Sequence, residues 1–154
     1  APGEAEAELA SMSKAGIIDA VLSDDSDALI FGAKRILRMY VFISLLHGSV
    51  FNVTVYDLLS CGLTTDDMMF IALLTKGDYG PGLPGCSART TLELSQAGFS
   101  HSLLHAIETM DPYHLGPFLN VWHNELKNKL RTNNSGMLSS CRPGLANAIP
   151  NDYP

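Results

Sequence analysis

At 154 residues with 46% hydrophobic side chains, the chain can bury a sizeable core, which excludes a disordered or fibrous protein. Its cysteines, Cys61, Cys86 and Cys141, are odd in number and form no CxxC pair, which excludes a disulfide scaffold and points to a reducing compartment, cytosol or nucleus. The net charge of −6 argues against a nucleic-acid partner only until it is located: Glu4, Glu6, Glu8, Asp19, Asp24, Asp25 and Asp27 face Lys14 alone in residues 1–27, and the remainder is balanced.

In chain order, "GEAEAELASMSKAG" (3–16) is alanine-rich, opens on Glu and ends at Gly16, which predicts a short helix. "IIDAVLS" (17–23) predicts a strand buried on both faces. "KRILRMYVFI" (34–43) and "VFNVTVY" (50–56) predict two more. The uncharged stretch from Met39 to Tyr56 is interrupted by His47, Gly48 and Asn52, so it reads as two strands and not as a membrane span. Helices follow over 64–77, 87–98, 101–110 and 112–133, and the Gly/Pro-punctuated text from 133 to 154 predicts loop. The expectation is an α/β core with an appended helical module. The chain begins at Ala1 without an initiator Met, a basic n-region or an apolar h-region, which reads as no secretory signal and as a fragment.

The acidic stretch "SDDSD" (23–27) follows directly on the first predicted strand, and open α/β sheets build ligand sites at the carboxyl ends of their strands. Loosely spaced carboxylates suit magnesium, a hard cation that keeps several waters, and a bound cation would make an acidic pocket compatible with phosphate. Asp and Ser are also ordinary turn formers, and acids in a first helical turn suit the helix dipole. Glu4 and Glu6, two apart, share no helix face, so they serve one site only if Glu4 sits at or before the helix start. Asp78 opens "GDYGPGLPG", a loop leading into a helix whose predicted N-cap is Ser87; such a loop either offers backbone amides to a phosphate or simply connects. Lys76 reads as a solvated helix-end cation or a phosphate contact. His101, His105, His114 and His123 read as surface or partly buried helix residues, Leu119, Trp122 and Leu126 as core, and Lys127, Lys129 and Arg131 as a solvated basic helix end.

"GEAEAEL", "DDSDALIFG" and "GDYGPGLPG", in this order over about residues 1–110, resemble the XPG-type structure-specific 5′ nucleases, the flap endonucleases and their relatives. "KGDYGPGLPGCSARTTLELSQAGF" is most similar to their Holliday-junction-resolvase branch. The resemblance implies a PIN-like (resolvase-like) α/β fold: a partial parallel sheet flanked by helices, with an appended helix-two-turn-helix module. It divides the chain into a nuclease region at 1–76, a helix-two-turn-helix region at 77–132 and a loop tail at 133–154. It gives Glu4, Glu6, Asp25, Asp27 and Asp78 the metal and catalytic positions, for two Mg2+ or Mn2+ ions in the complete site. The loop from Gly80 to Gly85 that opens the helix at Ser87 resembles the family's helix-two-turn-helix element, which implies DNA binding at Gly82, Gly85 and Ser87, with Arg89 nearby and K+ at the loop; Lys76, a further candidate DNA contact, stands where the family has small residues. The implied partner is branched double-stranded DNA, a flap or four-way junction, with a dimer on the junction as one arrangement and the nucleus, or else the cytoplasm, as compartment. The family's amino-terminal region, which supplies two further aspartates and half the sheet, is absent. The resemblance therefore admits two readings: an incomplete nuclease inactive alone, or a catalytically dead module that keeps the fold.

Overall fold

The computed structural model describes residues 3–44, 48–78 and 80–150, and the chain divides into two compact units, Ala1–Met68 and Met69–Pro154.

In the first unit, helix α1 (Ala5–Lys14) carries Glu6 and Glu8 in its first turn and Lys14 in its last, charges that complement its dipole. It closes at Gly16, whose φ of 72° is left-handed. Strand β1 (Val21–Leu22) leads through the acidic loop into the short helix α2 (Asp27–Ile30), then into β2 (Arg35–Ser44) and β3 (Gly48–Asp57). The sheet order is β1-β2-β3, with β1 parallel and β3 antiparallel to β2. The sheet is thus mixed, and the expected parallel arrangement holds only at β1–β2, because the short connection from β2 to β3 permits an antiparallel return and no crossover.

Register sorts the side chains onto two faces. Val21 pairs with Ile36, and both are buried with Ala10, Ala28 and Ala33 in a small core that also receives Leu9, Ile18, Leu29 and Phe31. Leu22 pairs with Leu37 on the opposite face, together with Met39, Val41, Phe51, Val53 and Val55. That face is open: Leu22 and Phe51 are each 62% exposed, and Val53 and Val55 just over half. The expectation of a first strand buried on both faces over 17–23 is therefore corrected. Among the described residues β1 is two residues long, at the sheet edge, and covered on one side only.

In the second unit, α3 (Thr65–Leu74, which begins in the first unit), α4 (Ala88–Gln96), α5 (Phe99–Thr109), α6 (Pro112–Thr132) and α7 (Pro143–Ala148) follow the predicted helical order, apart from α7. Asp111 caps α6 by accepting from the Tyr113 and His114 amides at 2.9 and 3.2 Å. Trp122 is the centre of the core, edge-on to Phe70 and Phe99 and donating through Nε1 to Ser102 Oγ at 3.1 Å. Leu126 is fully buried beside it and Leu119 packs against the same cluster, as their spacing predicted.

The loop read for 133–154 is corrected over its described part. Leu138, Leu145, Ala146 and Ile149 enter the same core as Trp122, and α7 forms where "PGLANA" supplies Pro at its start. The basic end of α6 is correspondingly not all solvated: Lys129 is buried and donates to Ser135 Oγ, and Arg131 donates to Asn147 Oδ1 at 2.9 Å. These cations fasten the tail. Among the described residues no helix is long and apolar enough to cross a membrane, and the described part of the stretch from Met39 to Tyr56 falls in the β2 and β3 strands.

Candidate metal and nucleic-acid site

Glu4 is the N-cap of α1, with extended φ and ψ of −61° and 128°, so it precedes the first helical residue. Glu6 stands in the first turn. The condition for the two to serve one site, that Glu4 lie at or before the helix start, is met.

The loop from Ser23 to Asp27 is held by local bonds. The Ser23 amide extends the β1–β2 ladder to the Leu37 carbonyl at 3.2 Å, the Asp25 amide donates to Ser23 Oγ at 3.0 Å, and Asp25 Oδ1 accepts from the Asp27 amide at 3.0 Å. Asp25 thus makes an Asx turn that opens α2, one oxygen facing the chain and the carboxylate exposed. The turn-forming chemistry and an open carboxylate coexist in one residue.

From β2, Arg38 reaches over this loop and donates to the Asp24 carbonyl. With Tyr56, Ile36 and Leu29 it borders a recess of about 60 Å³ that Asp25 and Ser26 close. Tyr40, on the same face two residues along, hydrogen-bonds Tyr56, and that bond pushes its phenol above the ordinary range. Sequence reasoning passed over Arg38 and Tyr56; the available signal was alternation in "RILRMY", which sets Ile36 and Arg38 on the face toward the acidic loop.

Asp78 lies in the second unit, exposed between Gly77 and Gly80, whose reciprocal amide–carbonyl bonds of 3.2 and 3.3 Å pinch the chain into a tight turn. Lys76 is exposed immediately before it. The Leu83 amide donates to the Leu74 carbonyl at 2.9 Å, which ties the loop to the end of α3. Gly82 is buried at φ 61° with no room for a Cβ, whereas Gly85, at φ 82°, is open, with no other atom within 4 Å of a Cβ built there. Ser87 caps α4 through its Oγ, which accepts from the Thr90 amide at 3.2 Å, and the exposed Arg89 pairs with Glu93 at 3.1 Å. The oxygen-only donor set of Glu4, Glu6, Asp25, Asp27 and Asp78 fits a hard divalent cation in its chemistry. Among the described residues, however, no three His, Cys, Asp or Glu side chains are gathered closely enough to hold a metal ion.

The sequence pattern of the XPG I-region matches residues 1–78, from Glu4 through the acidic loop to Asp78. The chain belongs to the XPG family. It is 35% identical over 104 residues to flap endonuclease 1 of Picrophilus torridus, covering 61% of this chain and 31% of that protein. Against flap endonuclease 1 of Methanocaldococcus jannaschii it is 33% identical over 106 residues, 68% of this chain and 32% of that one. Among solved structures, the eukaryotic junction-resolving enzyme GEN-1 with caesium bound superposes with a TM-score of 0.83 at 34% identity, over 99% of this chain and 37% of that one. The Holliday junction-resolving enzyme GEN1 with product DNA and Mg2+ gives a TM-score of 0.70 at 35% identity, over 94% and 34%. The resemblance to the junction-resolving branch of the XPG family is thereby borne out, as is the fold of a small sheet flanked by helices with an appended helical module. This XPG-family chain spans about a third of the length of these relatives.

Proposed function

We propose that this chain is the carboxy-proximal part of a metal-dependent, structure-specific DNA endonuclease that hydrolyses a phosphodiester in a 5′ flap or four-way junction, and that it does not cut by itself. The reading is carried by the I-region match over 1–78 together with the position of Glu4 ahead of α1, which lets it and Glu6 turn toward one site.

In this reading Glu4, Glu6, Asp25, Asp27 and Asp78 are the chain's share of the ligands for Mg2+ or Mn2+. Bound there, the ions would activate water and stabilise the leaving oxygen. The described residues do not gather a complete set, and the remaining ligands would come from the family's amino-terminal region. That region would also cover the open apolar face of β1, β2 and β3. Duplex arms would be held by the loop from Lys76 to Ser87, through backbone amides near Gly82 and Gly85, the N-terminus of α4 and the exposed Arg89, with K+ as a further ion at the loop. Branched DNA, read by its shape, is the partner, a junction would be met by two copies, and the nucleus is the compartment.

The ungathered carboxylates favour a second reading, an interaction module that keeps the fold and the DNA contact without cutting. A melting experiment tests the metal reading on the chain as it stands. Mg2+ or Mn2+ at about a hundredfold over its Kd should raise Tm by on the order of 5 °C. No rise in either ion, with the fold intact, contradicts a divalent site on this chain.

A further inference from the structure

We propose that Arg38 is a positioning residue for the acidic loop, a role that rests on the metal reading above. Three carboxylates in four residues repel one another, and their arrangement must be held against that repulsion. Within the loop the Asp25 amide donates to Ser23 Oγ and the Asp27 amide to Asp25 Oδ1, the Ser23 amide joins the strand ladder, and the Ser26 and Asp27 carbonyls accept from the Leu29 and Phe31 amides at α2. The bond from the Arg38 guanidinium to the Asp24 carbonyl spans fourteen residues and joins the middle of the loop to β2. It fixes the peptide between Asp24 and Asp25, and so the direction in which the Asp25 and Asp27 carboxylates leave the backbone.

Arg38 is itself placed from behind. Its strand partner is Thr54, and Tyr56, diagonally across on the same face, borders the same recess. A planar guanidinium is suited to this because it keeps its charge and further N–H donors after one is used. Both properties serve the loop: a hydrogen bond sets the peptide, and a cation offsets the crowding of Asp24, Asp25 and Asp27.

The test uses the chain itself with Arg38→Ala, Arg38→Gln and Arg38→Lys, each checked for folding by circular dichroism and by amide protection in α4 to α6. Hydrogen exchange at Ser23, Asp25 and Asp27 should quicken by roughly tenfold in R38A, be partly restored in R38Q, which keeps an N–H donor, and be largely restored in R38K. Mn2+ titration supplies a readout of opposite sign for a purely electrostatic role. Removing a nearby cation should tighten Mn2+ by charge alone, whereas losing the loop's arrangement should weaken it by about fivefold or more. Unchanged exchange in a folded R38A overturns the proposal, as does equal or tighter Mn2+ binding in R38A. If the unsubstituted chain binds no Mn2+, the metal reading itself fails, and exchange alone decides whether Arg38 holds the loop.

Discussion

Gly82 is seated against Thr75: a Cβ built on Gly82 would lie 2.4 Å from the Thr75 carbonyl carbon and 2.6 Å from its oxygen. The same glycine has a φ of 61°, so both its space and its backbone conformation exclude an L side chain. Gly82→Ala should therefore destabilise the helical unit by on the order of 2–4 kcal/mol, because the obstacle is backbone and cannot swing away. Gly85→Ala, strained only by its φ of 82°, should cost about 1 kcal/mol. Chemical denaturation of the two variants checks the ranking. Equal stabilities would show that the loop is not seated on α3 as described.

The carboxylate of Glu93 accepts from the backbone amide and hydroxyl of Ser139 at 3.0 and 3.2 Å, and from Arg89. The Ser139 amide is the main cause holding its pKa below the ordinary glutamate range, with Arg89 adding to it. A depressed folded-state pKa contributes stability that is present above the unfolded value and lost as pH falls through the folded value. Stability should accordingly decline on the acid side of the ordinary glutamate range. Glu93→Gln should flatten that decline, costing most near pH 7 and least near pH 2. A denaturation series between pH 2 and 7 measures both slopes, and identical slopes would remove Glu93 as a link between α4 and the tail.

Much of this architecture was legible in the sequence, and the failures have physical causes. The acidic loop after β1, the Ser87 cap and the helical order were readable because strand ends, capping oxygens and apolar periodicity are local signals. The tail was not, since Leu145 and Ile149 are isolated apolar residues amid Gly, Pro and Asn, and only their fit beside Trp122 makes them core. Lys129 looked like a solvated cation because its acceptor, Ser135, lies beyond the helix end in text that reads as loop. The strand at 17–23 was misread for a different reason: "IIDAVLS" has the composition of a strand covered on both sides, yet Leu22, on the face away from Val21, is exposed.

That face yields a prediction of its own. Leu22, Met39, Val41, Phe51, Val53 and Val55 form a contiguous exposed apolar surface, of the sort that soluble monomers seldom leave bare. The chain should bind a hydrophobic dye and self-associate, and Phe51→Lys with Val53→Lys should lower dye fluorescence by about half or more. Because both positions are exposed, each substitution should change stability by only about 0.5 kcal/mol. Dye binding that persists undiminished would locate the sticky surface elsewhere.

The central claim is that these carboxylates form an incomplete share of a two-metal nuclease centre. Two-metal hydrolysis needs both ions in line with the scissile phosphate, and a misplacement of about 1 Å can cost roughly a hundredfold in rate. The most direct measurement compares cleavage of an end-labelled 5′ flap and a four-way junction in Mg2+ by the chain alone and by the same chain joined to an XPG-family amino-terminal region. The account predicts no cutting by the chain alone, cutting by the joined protein, and loss of that cutting by at least about a hundredfold in Asp25→Ala, Asp27→Ala or Asp78→Ala with DNA affinity largely kept. Robust cutting by the 154-residue chain alone, or a joined and folded protein that binds the junction and leaves it whole, would contradict it.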